Sequence, residues 1–173
     1  MDEIVQAAMK KWPDVPAVFH WLSLDGRGRW RLKGELVSNP VMIAFLNRNY
    51  DHDRHGRWFV QNGPQRVFVS LEAAPWVVHI DNALLVTQTG KTVLPRKFLI
   101  DEDGHLYTDT ASGLAKIDDR ELTHLSDSIL ETNPDRLALR FSGRQWPIET
   151  VARSELPRVF GFDPDPCTEA PET

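Results

Sequence analysis

The chain has 173 residues, 41% hydrophobic and 26% charged, with a formal net charge of −5. That is the balance of one folded domain or of two small lobes, and no window approaches the apolar run of a membrane span. The single cysteine, Cys167, excludes an intrachain disulfide and a cysteine-built zinc cluster, and the acids at positions 2 and 3, where a secretion signal carries bases, point to a cytoplasmic protein.

The charge is unevenly spread. Residues 1–70 hold ten Lys/Arg against seven Asp/Glu, and residues 71–173 hold ten against eighteen. Such a split marks either a binding face or two lobes that attract each other.

In chain order, residues 3–11 read as a short helix with Ile4, Val5, Ala8, Met9 and Trp12 on one side, ended by Pro13. Val15-Pro16-Ala17 is an extended entry to a strand over 18–24. Asp25-Gly26-Arg27-Gly28 turns the chain, and 29–34 is the return strand of a first hairpin. Asn39 caps a helix that Pro40 opens. Residues 41–46 are apolar nearly all round, which predicts a buried helix, with Asn49 as a left-handed cap. Residues 51–56 read as a polar loop. Strands over 58–61 and 66–71 flank Asn62-Gly63, a hairpin turn signal.

Further strands are expected over 76–80 and 84–89. Residues 98–100 and 106–108 flank the acidic turn Asp101-Glu102-Asp103-Gly104. Asp118 and Glu121 form a capping-box pattern at the start of a helix over 118–130, striped by Leu122, Leu125 and Ile129 and ended at Asn133-Pro134. Strands over 137–141 and 146–151 surround Ser142-Gly143. Residues 157–162 pack locally through Val159, Phe160 and Phe162, and the Pro-and-acid tail 163–173 is expected to be disordered.

Gly28-Arg29-Trp30 and Gly56-Arg57-Trp58 stand 28 residues apart. Each glycine supplies φ > 0 at a turn and each Trp a large apolar area for the strand that follows. The surroundings of the two copies differ, and the third hairpin has His105-Leu106 instead, so the pattern does not define a repeat architecture.

Several runs are familiar as a set: Lys11-Trp12-Pro13-Asp14-Val15-Pro16-Ala17, Trp21-Leu22-Ser23-Leu24-Asp25, Gly28-Arg29-Trp30-Arg31-Leu32, Asn47-Arg48-Asn49-Tyr50, the run from Gly56-Arg57-Trp58 to Gln65-Arg66-Val67, and Pro157-Arg158-Val159-Phe160-Gly161-Phe162. On these the chain resembles an uncharacterised, mostly proteobacterial family known only as a domain of unknown function. The likeness is densest in the first 80 residues and loose over 81–150. It implies a bacterial cytoplasmic protein and carries no reaction, cofactor or site residue with it.

The residues themselves offer one sharp candidate. Arg27, Arg29, Arg31 and Lys33 alternate, so in a strand all four leave one face, with Arg57 and Arg66 expected nearby. Four like charges call for counter-charges, from an acidic protein or from nucleic-acid phosphates with Trp21, Tyr50 and Phe68 stacking on bases. The plainer alternative is a solvated face paired with acids such as Glu35 or Glu72, and the acidic overall charge counts against nucleic acid.

The loop Asp51-His52-Asp53-Arg54-His55 has ligand types that suit zinc or nickel, but Arg54 between them repels a cation, so a solvated loop is expected. Asp101-Glu102-Asp103-Gly104 fails as a calcium loop at Leu99 and Thr110. No metal or cofactor is expected. Ser23, Ser112 and Ser142 lack a nucleophile context, and the two glycines of Gly26-Arg27-Gly28 do not make a phosphate loop. His20 and His79 are expected as interior or rim residues and His124 as exposed. Most Trp residues are expected in the core.

The sequence therefore predicts an α+β fold of predominantly antiparallel β-hairpins with two or three packed helices. It would form a single globular domain over 1–162, with a seam near 90–92 if two lobes exist. The function expected first is a non-catalytic binding or interaction protein whose basic strand face, Arg27 to Lys33, meets an acidic partner. The alternatives are a small enzyme with a cleft near the 51–57 loop, where His55, Asp53 and Arg57 stand, and a structural subunit of a homo-oligomer assembling through a sheet edge.

Overall fold

The computed structural model describes residues 3, 4, 6, 7, 17–133 and 136–167. Glu3, Ile4, Gln6 and Ala7 are helical; the remainder of the expected N-terminal helix, with Trp12, lies outside the described residues.

The chain divides into two compact units. The first comprises Met1–Asp25, Arg29–Ala73 and Gly161–Thr173, and the second Gly26–Gly28 and Ala74–Phe160. The division at 73/74 differs from the expected seam at 90–92. Gly90 has φ +83 and closes a turn inside a hairpin, with Thr87 N donating to Lys91 O. A glycine that looks like a linker is there a turn residue. The acidic C-terminal segment belongs to the first unit, so the charge split along the sequence is not a split between units.

The first unit is built on a six-stranded sheet. Strands β1 (Val18–Leu24), β2 (Trp30–Leu32) and β3 (Glu35–Leu36) form one antiparallel meander, and β4 (Tyr50–His52), β5 (Trp58–Asn62) and β6 (Gln65–Leu71) another. β1 and β6 join them in parallel. Helix α1 (Pro40–Arg48) links the meanders; the Asn39 side chain accepts from the Val41 and Met42 amides, and Pro40 opens it as expected.

On the inner sheet face Trp30 meets Tyr50 edge-to-face and Tyr50 lies tilted against Trp58, with centroids 5.1 and 4.8 Å apart, and Trp30 Nε1 donates to Asn47 Oδ1 on α1 at 2.7 Å. A buried indole finds its polar partner this way. Two expectations for α1 fail. Only Leu46 of this helix is buried, while Val41 and Met42 are 77% and 42% exposed. Asn49 has φ −108 and caps with its side chain, whose Nδ2 donates to Phe45 O.

The second unit carries a nine-stranded sheet: β7 (Trp76–Asp81), β8 (Leu84–Thr87), β9 (Thr92–Val93), β10 (Pro95–Ile100), β11 (Leu106–Thr110), β12 (Gly113–Ile117), β13 (Ile129–Asn133), β14 (Arg136–Phe141) and β15 (Arg144–Thr150). These are three more meanders, joined by parallel pairing of β7 with β12 and of β10 with β15. In every join the first strand of one meander lies parallel to the last strand of the next.

The sheets are therefore mixed, not purely antiparallel. Turn residues announce hairpins locally, whereas the joins pair residues about forty to fifty apart and have no local signal. The core of this unit is filled by Phe98, Leu106, Tyr107, Leu114, Ile117 and Leu139, all at most 1% exposed.

The expected helix over 118–130 is shorter. Helix α2 (Asp119–Leu125) is capped by Asp118, then passes through a 3₁₀ turn at Ser126–Ser128 into β13. Ser-Asp-Ser holds a helix poorly, and Ile129 instead pairs with Leu139 of β14. Helix α3 (Leu156–Phe160) ends the unit.

Candidate functional site

Three hairpin loops share one construction. Asp25, Asp53 and Asp101 each open a meander's first hairpin; three residues later stands a glycine with φ +75, +75 and +85, then Arg29, Arg57 or His105. In each loop the amide of the fifth residue donates to Asp Oδ1 at 2.8 to 3.0 Å. Its side-chain nitrogen meets Oδ2 at 2.8 to 3.0 Å, and the Asp amide donates to the fifth residue's carbonyl at 3.0 to 3.1 Å. The signal was present in the sequence as Asp-x-x-Gly-Arg/His, one residue type wider than Gly-Arg-Trp.

Burial alone raises the carboxyls of Asp53 and Asp101. The donors around them outweigh it and hold both below the usual carboxylate range: Arg57 for the first, His105 and Tyr107 for the second. These aspartates are loop staples. Asp101, Asp103 and His105 offer ligand atoms within 4.8 Å of one another, and Asp101 Oδ2 already meets the His105 ring and accepts from the Tyr107 hydroxyl.

The same construction decides where the six predicted basic residues go. β2 is only three residues long, and Lys33, at φ +50, lies in the next turn, so Arg27 to Lys33 do not share one strand face. Arg29 and Arg31 converge on the 5%-exposed carboxylate of Asp25, at 2.9 and 3.3 Å. Arg27, with the Gly26–Gly28 turn, belongs to the second unit. Arg57 pairs with Asp53 at 2.7 Å and lies over the Phe68 ring, and Arg66 lies over Phe59. His55 Nε2 accepts from Arg54 at 3.1 Å, so the expected His55–Asp53–Arg57 constellation reduces to an Asp–Arg pair.

What the sheet does bring together is an aromatic and cationic outer face. Register places Ser23, Arg31 and Leu36 side by side across β1, β2 and β3, and Lys33 N donates to Trp21 O, bringing Trp21 alongside. Trp21 is 51% exposed and Leu36 47%. The Lys33 ammonium stands 3.9 Å from the centre of the Trp21 ring.

Trp21 alternates with buried Leu22 and Leu24 and so faces outward. Between Val18 and Leu22 β1 slips in register against β6, and His20 within that stretch has φ +60. A left-handed histidine is strained backbone, held by its surroundings. His20 and His79, expected at the interior or rim, are both exposed, as is His124.

Beside this face a cavity of about 320 Å³ is lined by Ser23, Arg31, Ser70, Glu72, Pro164 and Asp165. Pro164 and Asp165 are part of the tail that was expected to be disordered. Residues 161–167 instead dock on the first unit, with Phe162 6% exposed; Leu71 N donates to Pro164 O at 2.7 Å and Ser70 Oγ to Asp165 Oδ1 at 2.8 Å. Residues 168–173 lie outside the described residues.

The second unit has a larger open cleft of about 850 Å³ over β7, with Arg27, His79, Arg120, Glu121 and His124 among its lining. Arg120 is tied to the Asp118 carboxylate at 2.5 Å.

Over residues 1–167 the sequence matches the family DUF2944, described as "Protein of unknown function (DUF2946)", and the chain belongs to that family. No curated protein matches. Among solved structures, a DUF1285 family protein from Silicibacter pomeroyi DSS-3 is 18% identical, with a TM-score of 0.57 over 87% of this chain and 97% of that one. A DUF1285 family protein from Shewanella baltica OS155 is 16% identical, with a TM-score of 0.45 over 60% of this chain and 88% of that one. The first likeness establishes a shared fold. No described helix is long and apolar enough to cross a membrane.

Proposed function

We propose that the protein is a non-catalytic interaction protein that holds an acidic protein partner on the outer face of its first sheet, around Trp21, Arg29, Arg31, Lys33 and Leu36. The observation that carries this reading is a half-exposed Trp21 with the Lys33 ammonium over its ring, on the sheet that also carries Arg31 opposite Ser23. Folding leaves there a large apolar ring that burial would stabilise by about 2 kcal/mol or more. Trp and Arg are the residues that dominate interface energies when a partner desolvates them. Arg29 and Arg31 share one carboxylate, and a partner's acids complete their pairing. The protein's own net charge of −5 counts against a nucleic-acid polyanion.

Titration of the full chain with poly-L-glutamate, and separately with duplex DNA, tests the proposal. Salt-dependent binding of poly-L-glutamate that weakens at least tenfold in Trp21→Ala supports it. Binding of DNA alone, or of neither, overturns it.

A further inference from the structure

The sheet of the first unit has a slot in it. Phe59 of β5 pairs with Phe68 of β6, and continuing that register sets Gly56 against Leu71. There the two strands no longer bond each other. The segment after α3 enters between them: Asp163 N donates to Gly56 O at 2.9 Å, Leu71 N donates to Pro164 O at 2.7 Å, and Arg57 and Asp163 form a parallel bridge.

These are main-chain bonds, which any extended segment can make. Selectivity comes from Asp165, whose carboxylate accepts from Ser70 Oγ at 2.8 Å and lies 3.7 Å from His20 Nδ1. The prolines at 164 and 166 keep the segment extended, so little conformational freedom is lost on docking. Only Phe162 and Pro166 are buried; Gly161, Pro164, Asp165 and Cys167 are exposed. The cavity beside the strap, bordered by Ser23, Arg31, Asp25 and Glu72, is space the strap does not fill.

We propose that this slot between β5 and β6 is a docking site for an extended acidic segment of a partner protein, and that Asp163–Asp165 is its resident occupant, displaced when the partner binds. The proposal rests on the reading above for the partner's acidic character. It adds the partner's form, an extended strand with carboxylates two residues apart, and the route of entry past Arg31. The chain enters the strap through Gly161, whose φ of +65 suits glycine.

The test uses a fluorescent peptide of residues 161–173 carrying Cys167→Ser and measures anisotropy with the full chain. In wild type the tethered strap competes at an effective concentration on the order of millimolar. The full-length variant Phe162→Ala/Asp165→Ala keeps the slot and loosens the strap, and is expected to bind the peptide at least tenfold tighter than wild type. A peptide with Asp163→Asn and Asp165→Asn is expected to bind at least tenfold weaker.

Equal affinity of wild type and variant, or of acidic and amide peptides, overturns the proposal, as does binding to neither chain. If circular dichroism shows the double variant unfolded, Asp165→Ala alone replaces it, with a gain of about threefold expected and no gain overturning the proposal. The two readings fail separately. Peptide binding that loosening the strap leaves unchanged, together with poly-L-glutamate binding that depends on Trp21, sinks the slot and spares the face. Peptide binding with no poly-L-glutamate binding sinks the face and spares the slot.

Discussion

Gly56→Ala is the perturbation for which the structure gives the sharpest expectation. An ideal Cβ at Gly56 would stand 3.0 Å from Gly161 C and Phe162 Cα, and closer still to the Gly161 carbonyl oxygen. Those atoms are backbone, so the strap must move as a body. Two glycines separate this clash from the strain of φ > 0. Gly104 occupies the same loop position with φ +85, Gly34 lies in the same unit with φ +84, and neither has any atom within 4 Å of its ideal Cβ.

Alanine at either control carries only the left-handed penalty, about 1–2 kcal/mol. At Gly56 the same penalty is joined by loss of the two strap hydrogen bonds, about 1 kcal/mol each. Exposure of Phe162 adds about 2 kcal/mol, less what the strap regains by settling elsewhere. We expect Gly56→Ala to exceed both controls by about 2–4 kcal/mol in urea unfolding, and limited proteolysis to cut near residue 161 in this variant alone. Equal losses at all three glycines, with no new cleavage, would refute the docking of the strap.

Four further outcomes follow from the same geometry. Asp101→Ala removes an acceptor used by the amides of Asp103 and His105, by the Tyr107 hydroxyl and by the His105 ring; thermal unfolding should show a loss of about 3 kcal/mol, and Asp101→Asn a smaller one. The carboxyls of Asp53, Asp101 and Asp118 all lie below the ordinary value when folded. Their contribution is therefore complete above about pH 4 and should be lost as the pH falls through the folded values in an acid titration followed by circular dichroism.

Tyr50 and Tyr107 are shifted the other way, Tyr50 by burial and Tyr107 by burial and by the carboxylate of Asp101. Stability should hold below about pH 10 and decline above it, where the unfolded chain releases these protons first. Lys116 is 3% exposed and its Nζ reaches Asp119 Oδ1 at 2.5 Å and Gly26 O at 3.2 Å. Because Asp119 is 44% exposed and stays hydrated, Lys116→Met should cost only about 1–2 kcal/mol in chemical unfolding, well short of the roughly 3–5 kcal/mol expected when a fully buried pair is broken.

Most of the hairpins could be read from the sequence, because turn chemistry is local. Asn62-Gly63, Ser142-Gly143 and the three Asp-x-x-Gly loops punctuate the strands where expected. Short strands with weak patterns were not readable. β4 overlaps a run expected as a loop, and β13 begins inside one expected as a helix. The inter-meander pairings, the division at 73/74 and the docking of 161–167 all join residues far apart in sequence. Composition marked Asp163–Cys167 as unstructured, yet one buried Phe and a slot in a sheet hold it.

At the candidate site, alternation over 27–33 predicted one strand face that the backbone does not form. Gly28, Lys33 and Gly34 all have φ > 0, which breaks the strand and sends Arg27 one way and Arg29 and Arg31 to Asp25. Of the three rings expected to be available for stacking, Trp21 is half exposed, whereas Tyr50 and Phe68 are buried.

The most direct measurement is amide chemical-shift mapping on the isotope-labelled full chain during titration with poly-L-glutamate. Binding on the outer face of the first sheet predicts perturbations at Trp21, Arg29, Arg31, Lys33 and Leu36, with the amides of β10 to β12 unmoved. Perturbations confined to the second unit, or none at saturating polymer, would contradict the account.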